Sequence, residues 1–209
     1  MNKFSKSLTF LTLLSLLTVS CIMSSRVGDG VTHNGSLTTV NTGITIGNRS
    51  TVTGESRTVN GSITVGDNSH VGDLRTVNGS IRIGSNTSVH GSAGTINGKI
   101  HCKAGVQVDG TLSTINGTIT LAETAVTENL ETINGNITLT QRSRVRGDII
   151  IRSRGENNQP PKEPLIVRLS DSSVVEGDII NKDDRYQVIV IIADDSKVLG
   201  EIKNAEVRR

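Results

Sequence analysis

Residues 58–81 read TVNGSITVGDNSHVGDLRTVNGSI and hold one complete repeat unit followed by the start of the next. The triplet Thr-(Val/Ile)-Asn that opens this unit occurs six times at steps of 18 or 19 residues, beginning at Thr39, Thr58, Thr76, Thr95, Thr114 and Thr132. Self-similarity at a short fixed period is typical of solenoid proteins, in which each unit stacks on the next because it cannot bury its apolar face alone.

Apolar residues occupy fixed columns of this repeat. Two columns are separated by one polar position: Ile44, Ile63, Ile81, Ile100, Ile119 and Ile137, then Ile46, Val65, Ile83, Cys102, Leu121 and Leu139. This alternation predicts a strand with one buried and one exposed face. A third column contains Val52, Val71, Val89, Val108, Val126 and Val145. Glycine follows the triplet at Gly61, Gly79, Gly98, Gly117 and Gly135, where we expect a corner with unusual backbone angles.

Each repeat is therefore predicted to form three short strands, in one unit roughly Arg57–Asn60, Ser62–Gly66 and His70–Leu74. Coils stacked about 4.8 Å apart would pair every strand with its neighbours and align the Asn residues in a hydrogen-bonded ladder. We predict an all-β fold, a single-stranded right-handed parallel β-helix with coils of about 18–19 residues, preceded by a signal peptide. Propeller blades would need longer repeats, and a left-handed helix would show cleaner hexapeptides.

The two ends of the chain depart from the pattern. Regular coils are expected over residues 36–149, and residues 21–35 are expected to form a tether and an N-terminal cap of ambiguous register. Residues 150–209 are predicted to form irregular coils, with further strands at Leu165–Leu169 and Gln187–Ile192. The polar, Pro-containing segment 155–164 (GENNQPPKEP) is predicted to be a loop that leaves the cylinder.

Residues 1–20 have the features of an export signal. Lys3 and Lys6 precede an apolar stretch that is too short to span a bilayer comfortably. The stretch ends in Leu17-Thr18-Val19-Ser20-Cys21, which resembles the lipobox of bacterial lipoproteins. That resemblance implies cleavage before Cys21 and lipid attachment to Cys21, and Ile22 favours the outer membrane, because retention in the inner membrane usually requires Asp there. An ordinary secretory signal with a coincidental cysteine is the alternative.

Composition excludes several classes of binding site. Removing residues 1–20 takes away two lysines and leaves 20 basic and 20 acidic residues, so the charge implies no nucleic-acid partner. Phe4 and Phe10 belong to the signal, which leaves Tyr186 as the only aromatic residue of the mature chain. Sugar platforms and base-stacking surfaces need several rings. After acylation of Cys21 only Cys102 remains, so no internal disulfide is expected.

Two loose resemblances follow from the repeats. Coils of this length with Val-x-Gly-(Asp/Glu)-Ile motifs at Val145–Ile149, Val175–Ile179 and Val198–Ile202 resemble the bactofilins, which are polymer-forming bacterial cytoskeletal proteins with a right-handed β-helix. The chain also resembles exported bacterial β-helix domains thought to act as adhesin heads. Both resemblances imply a scaffolding or contact role rather than chemistry.

Three groups of residues are candidate sites. His33, His70, His90 and His101 occupy different columns, and Cys102 belongs to a buried column, so we expect no metal or cofactor. C-terminal acids that could serve a polysaccharide-cleaving enzyme are Asp171, Asp178, Asp183, Asp184, Asp194 and Asp195. An arginine ladder that could contact an anionic partner, such as an envelope polymer or lipid, comprises Arg142, Arg144, Arg146, Arg152 and Arg154. For both charged groups, a solvated surface is the preferred interpretation.

The sequence thus predicts a lipid-anchored cell-envelope protein without catalytic residues. Its rigid β-helix would present repetitive Thr, Ser and Asn faces for contact or self-association, and its N-terminal lipid would hold it in the membrane. A bactofilin-like polymer and a small polysaccharide-active β-helix enzyme remain the alternatives.

Overall fold

Coiling of the chain produces three parallel sheets. A computed structural model describes residues 25–153 and 163–209, and these residues form a right-handed β-helix of about nine coils that contains strands and no helix. The predicted fold is therefore confirmed. No helix in the described ranges is long and apolar enough to cross a membrane.

Each of nine coils contributes one strand to each sheet, in the chain order A, B, C, and a last strand adds a tenth to sheet A. Sheet A contains β1 (Ser25–Val27), β4 (Ile44–Ile46), β7 (Ile63–Val65), β10 (Ile81–Ile83), β13 (Ile100–Cys102), β16 (Ile119–Ala122), β19 (Ile137–Thr140), β22 (Leu165–Leu169), β25 (Val188–Ile192) and β28 (Glu206–Arg208). Sheet B contains β2 (Thr32–His33), β5 (Thr51–Val52), β8 (His70–Val71), β11 (Ser88–Val89), β14 (Gln107–Val108), β17 (Ala125–Val126), β20 (Arg144–Val145), β23 (Val174–Val175) and β26 (Lys197–Val198). Sheet C contains β3 (Leu37–Thr38), β6 (Ser56–Thr58), β9 (Leu74–Asn78), β12 (Ala93–Asn97), β15 (Leu112–Asn116), β18 (Leu130–Thr132), β21 (Ile149–Ile151), β24 (Ile179–Asn181) and β27 (Ile202–Lys203).

The apolar columns predicted from the repeat pair in register and form one core. In sheet A, Ile44 pairs with Ile63 and Ile63 with Ile81, and the same step continues through Ile137. The valine column lies in sheet B, and all of its members are buried. Sheet C adds a further inward column: Leu37, Ser56, Leu74, Ala93, Leu112, Leu130 and Ile149.

One strand boundary differs from the prediction. The segment His70–Leu74, expected to be a single strand, is divided between β8 and β9, and a corner at Gly72 and Asp73 separates them. Strand β9 then continues through the next Thr-Val-Asn triplet. Val71 and Leu74 are both buried, so the corner turns around the core while its two flanking residues still point inward.

The pairing of the strands defines where the β-helix begins and which C-terminal segments belong to it. Ser25 pairs with Ile44, so residues 25–35 belong to the first coil, and only residues 22–24 separate Cys21 from it. At the other end β22 and β25 confirm the two further strands that were predicted. The predicted loop 155–164 lies mostly outside the described residues, which resume at Glu163.

The five glycines that directly follow a triplet are required because the backbones of successive coils approach closely, and not because the corner needs unusual backbone angles, as the sequence predicted. Gly61, Gly79, Gly98, Gly117 and Gly135 do not have positive φ angles. Instead, a Cβ atom at Gly117 would overlap the carbonyl oxygen of Gly98 in the preceding coil, and the same contact recurs along the column. Positive φ angles occur at the corner between sheets A and B, for example at Asn68 and Asn86. Asn tolerates the left-handed region better than most residues.

Candidate functional surfaces

The proposed lipid site lies outside the described residues. Cys21 and the signal at residues 1–20 precede the first described residue, Ser25. What the structure adds is the position of that first residue, which belongs directly to the terminal strand of sheet A.

The predicted arginine ladder is only partly assembled. Arg142, Arg144 and Arg146 are exposed and alternate with buried residues at and beside β20, so they share the outer face of sheet B. Arg152 instead follows β21 and belongs to the sheet C side, which corrects the prediction that it extends the same ladder. A change of sheet at the corner near Gly147 separates the two groups. Arg154 lies outside the described residues.

Carboxylates accompany most of these arginines. Arg144 Nη1 lies 2.7 Å from Glu176 Oε1, and Arg142 lies 3.6 Å from a carboxylate oxygen of Glu123. Arg152 makes two hydrogen bonds of 2.7 Å to Glu131, and these bonds raise its pKa. Arg146 makes no ion pair within residues 25–153 and 163–209. Positive charge on this part of the surface is therefore largely balanced.

The C-terminal acids do not converge on one site. Asp178 lies between sheets B and C, where Oδ1 accepts the amide hydrogen of Glu201 and Oδ2 accepts a bond from Lys203 at 2.8 Å. The bond from Lys203 lowers the pKa of Asp178. Asp171 and Asp194 lie between sheets A and B, and the Asp171 amide donates to Asp194. Asp183 pairs with Arg185. Asp171, Asp178 and Asp194 therefore stabilise corners of the coil by accepting backbone amide hydrogens from neighbouring coils.

The rings of two histidines lie closer together than their different columns predict. His70 and His90 occupy different columns but stack diagonally, with ring centroids 6.0 Å apart and nearly parallel planes. His90 Nδ1 lies 3.1 Å from Asp109 Oδ2. His101 lies on the outer face of sheet A, and His33 belongs to the first coil of sheet B. The described ranges contain no group of three or more His, Cys, Asp or Glu side chains that could hold a metal ion.

Cys102 is a core residue, as its column predicted. Its side chain is fully buried between Ile83 and Leu121, while the neighbouring His101 is exposed on the opposite face of β13. Desolvation raises the pKa of the Cys102 thiol to about 12. The thiol is therefore protonated and shielded, and it cannot act with His101 as a nucleophile pair.

We expect the buried thiol to make stability fall at high pH. Because the folded chain holds this proton up to a pKa of about 12, whereas the unfolded thiol releases it near 9, the stabilisation is complete below pH 9 and is lost as pH rises toward 12. Cys102→Val introduces the residue type that the same column already has at Val65. The difference in the free energy of unfolding between wild type and Cys102→Val should change by up to about 1.4 kcal/mol per pH unit above pH 9. Urea titrations at several pH values measure the free energy of unfolding of both proteins. If this free energy depends on pH in the same way in both, Cys102 is not the buried, protonated thiol described here.

The Thr-(Val/Ile)-Asn triplets build two ladders along the rod. Threonine points inward, and four of the six hydroxyls donate to a carbonyl oxygen of the preceding coil at 2.8–3.2 Å, those of Thr58, Thr76, Thr95 and Thr114. The Asn side chains form the predicted amide ladder through five bonds of 2.6–3.0 Å, which link Asn41, Asn60, Asn78, Asn97, Asn116 and Asn134. Such bonds tie six successive coils together on one edge.

The middle residues of four triplets, Val77, Ile96, Ile115 and Ile133, line a groove that the repeat pattern did not predict. Ile96 and Ile115 are 39% and 37% exposed, although the Thr on one side of each points inward and the Asn on the other side is hydrogen-bonded. A groove of about 550 Å³ runs along this column on sheet C. It is lined by an apolar wall, a floor at Gly94 and Ser113, and guanidinium groups toward both ends, from Arg57, Arg75 and Arg152. The invariable Val or Ile between Thr and Asn was the signal that could have revealed it.

The groove joins features that suit an elongated ligand. An apolar wall supplies contact area, and a few polar groups at defined positions can fix orientation. Arg57 pairs in register with Arg75, which places two like charges on adjacent strands, with Glu55 lying 3.4 Å from Arg75.

Comparison with known proteins does not assign the chain to a family. No family model, no curated protein and no solved structure matches it.

Proposed function

We propose that the protein is a lipid-anchored scaffold of the bacterial cell envelope that works through surface contact rather than catalysis. Acylated Cys21 would be its anchor, and the β-helix its rigid body. The observation that carries the proposal is the start of the coil stack at Ser25, immediately after the lipobox-like segment. A rigid domain so close to an acylated residue is suited to being displayed at a membrane surface.

The interior supports the scaffold role. One apolar core runs from Val27 to Val190, and ladders of Asn and Thr side chains link successive coils at its edges. Each coil contacts only its neighbours, so the rod is stiff along its axis and presents the same type of face at every level. Such a body holds contact surfaces at a fixed distance from its anchor.

Metabolic labelling with radioactive palmitate tests the anchor. We expect wild type to be labelled, because the thiol of Cys21 receives the lipid, and Cys21→Ala to lose the label completely. Cys102→Val is the matched control, since it removes the other cysteine from a buried site and should keep the label. Equal labelling of wild type and Cys21→Ala would contradict the proposal.

Self-association into a polymer is the second candidate, and the ends of the rod favour it. Ile192, Val198 and Ile202 pack against the core but are only partly buried in the last coils, and Leu199 is 65% exposed. Filaments of the purified lipoprotein in detergent, lost in Leu199→Glu, would support a polymer. A strictly monomeric rod under the electron microscope would exclude it under those conditions.

An enzyme acting on acidic polysaccharides is the third candidate. Asp178 and Asp194 lie at different corners of the coil, and each already caps a backbone amide of a neighbouring coil. We therefore expect no cleavage in a panel of envelope and plant glycans. Robust cleavage that is abolished by Asp178→Ala or Asp194→Ala would overturn the non-enzymatic proposal.

A further inference from the structure

The chain between the proposed lipid and the β-helix is very short. Cys21 and Ser25 are four residues apart, and an extended chain advances at most 3.6 Å per residue, so Ser25 lies within about 14 Å of the acylated residue. The tether expected from the sequence extended to about residue 34, but residues 25–33 already contain β1 and β2. The first coil is therefore held beside the lipid.

The first coil also contains an exposed apolar residue, Val31. Val31 is the first member of an inward corner column that contains Ser50, Ser69, Thr87, Val106, Thr124, Ser143, Ser173 and Ser196. All the other members are buried, whereas Val31 is 45% exposed and belongs to the first coil that the structure describes. All of these other members are Ser or Thr, with the exception of Val106. The first member of the column, Val31, is thus apolar at a position where most other coils have a hydroxyl side chain.

Other features of this end suit a membrane surface. Val40, in the same coil, is 58% exposed, and Arg26 is an exposed cation on β1. Strands β1, β2 and β3 each lie at the edge of their sheet, and no described strand pairs with their outer side. Exposed strand edges attract other strands unless something covers them. The lipid headgroup layer can cover this end while its polar groups solvate the backbone.

We infer that the N-terminal end of the β-helix rests directly on the lipid bilayer, with Val31 at the contact and the rod axis pointing away from the membrane. The inference rests on the proposed acylation of Cys21. The anchor alone would only keep the first coil near the bilayer, and Val31 specifies which surface of that coil faces it. The last coil then stands about 38 Å above the first, from eight steps of about 4.8 Å.

Three positions in one column of sheet B can measure this orientation. Thr32, Gln107 and Lys197 are exposed and belong to the first, fifth and ninth coils, so they differ only in height, by about 19 Å per interval. Each is replaced by cysteine in the full lipoprotein and labelled with a fluorophore. Acylated Cys21 and buried Cys102 should not react. The labelled proteins are reconstituted into phosphatidylcholine vesicles that contain a headgroup-spin-labelled phosphatidylcholine.

We expect the Thr32→Cys label to lose most of its fluorescence and the Gln107→Cys and Lys197→Cys labels to lose none. The headgroup layer is only about 5–8 Å thick, so a height of 19 Å removes the second label from the quencher. Equal quenching at all three positions, as expected for a rod lying on its side, would overturn the inference. Absence of quenching at Thr32→Cys in protein that floats with the vesicles would overturn it as well.

Two variants separate the contact from the anchor. A flexible Gly/Ser insert of ten residues between Met23 and Ser24 should keep flotation and lose the quenching at Thr32→Cys. Val31→Ser gives the first coil the same residue type that Ser50 has in the next coil. This variant should keep flotation and the fold but weaken the quenching of the Thr32→Cys label. If it leaves quenching unchanged, Val31 is not the contact. Failure of the unmodified protein to float would instead refute the acylation of Cys21, and the inference with it.

Discussion

Gly117→Val is expected to destabilise the β-helix by about 3 kcal/mol, the upper end of the usual cost of overpacking, because it forces a side chain into a space that the backbone of another coil already occupies. The added Cβ would overlap the carbonyl oxygen of Gly98 and would lie 3.1 Å from Thr114 Oγ1. The coil cannot move away cheaply, since the flanking Asn116 donates to Asn97 at 2.8 Å. Urea unfolding followed by circular dichroism measures the free energy of unfolding.

Gly28→Ala is the control for this substitution. A Cβ at Gly28 meets only Val31 Cγ2, at 3.6 Å, and Gly28 does not have a positive φ. We expect its effect to be neutral or a gain of up to about 1 kcal/mol, because alanine restricts the unfolded chain. Similar stabilities of Gly117→Val and Gly28→Ala would show that the glycine column does not lie against the preceding coil.

Leu121→Ala is expected to cost about 2–5 kcal/mol, which is the usual range for removing a fully buried leucine side chain. Leu121 is 0% exposed and lies in register between Cys102 and Leu139 in the middle of the stack. A cavity at Leu121 interrupts its column, and at that level only the two neighbouring coils supply side chains to the column. The loss should therefore not be repaired by rearrangement of distant side chains.

Thr120→Ala is the matched control, because residue 120 immediately precedes Leu121 on β16 and points outward. Its cost should lie within about 0.5 kcal/mol. Equilibrium unfolding of both variants under the same conditions makes the comparison. A larger cost for Thr120→Ala than for Leu121→Ala would invert the assigned faces of the strand and contradict the register of sheet A.

Features that recur in every coil could be predicted from the sequence. Ile63, Ile81 and Ile100 are spaced so regularly that only stacking in register satisfies all of them, and the structure pairs them in that way. The Asn ladder follows from the same argument, because identical residues one coil apart must lie side by side. Burial of Cys102 was predictable as well, since its column neighbours are aliphatic.

Features that depend on the path of the chain between strands were less accessible. The glycine column marks a corner in the sequence, but only coordinates show that contact with Gly98, rather than a positive φ, requires Gly117. Arg152 could not be separated from Arg146 without the position of the corner between them. No described coil precedes the first one to define its register, so the position of Ser25 opposite Ile44 was not predicted.

The mass of the mature protein tests the central claim most directly, because the rod can act at the envelope as proposed only if it is held there by Cys21. We expect mass spectrometry of the protein purified from bacterial membranes to show a chain that begins at Cys21 and carries a diacylglyceryl group on its sulfur. A mature chain that begins at another residue, or one with an unmodified Cys21 thiol, would contradict the claim.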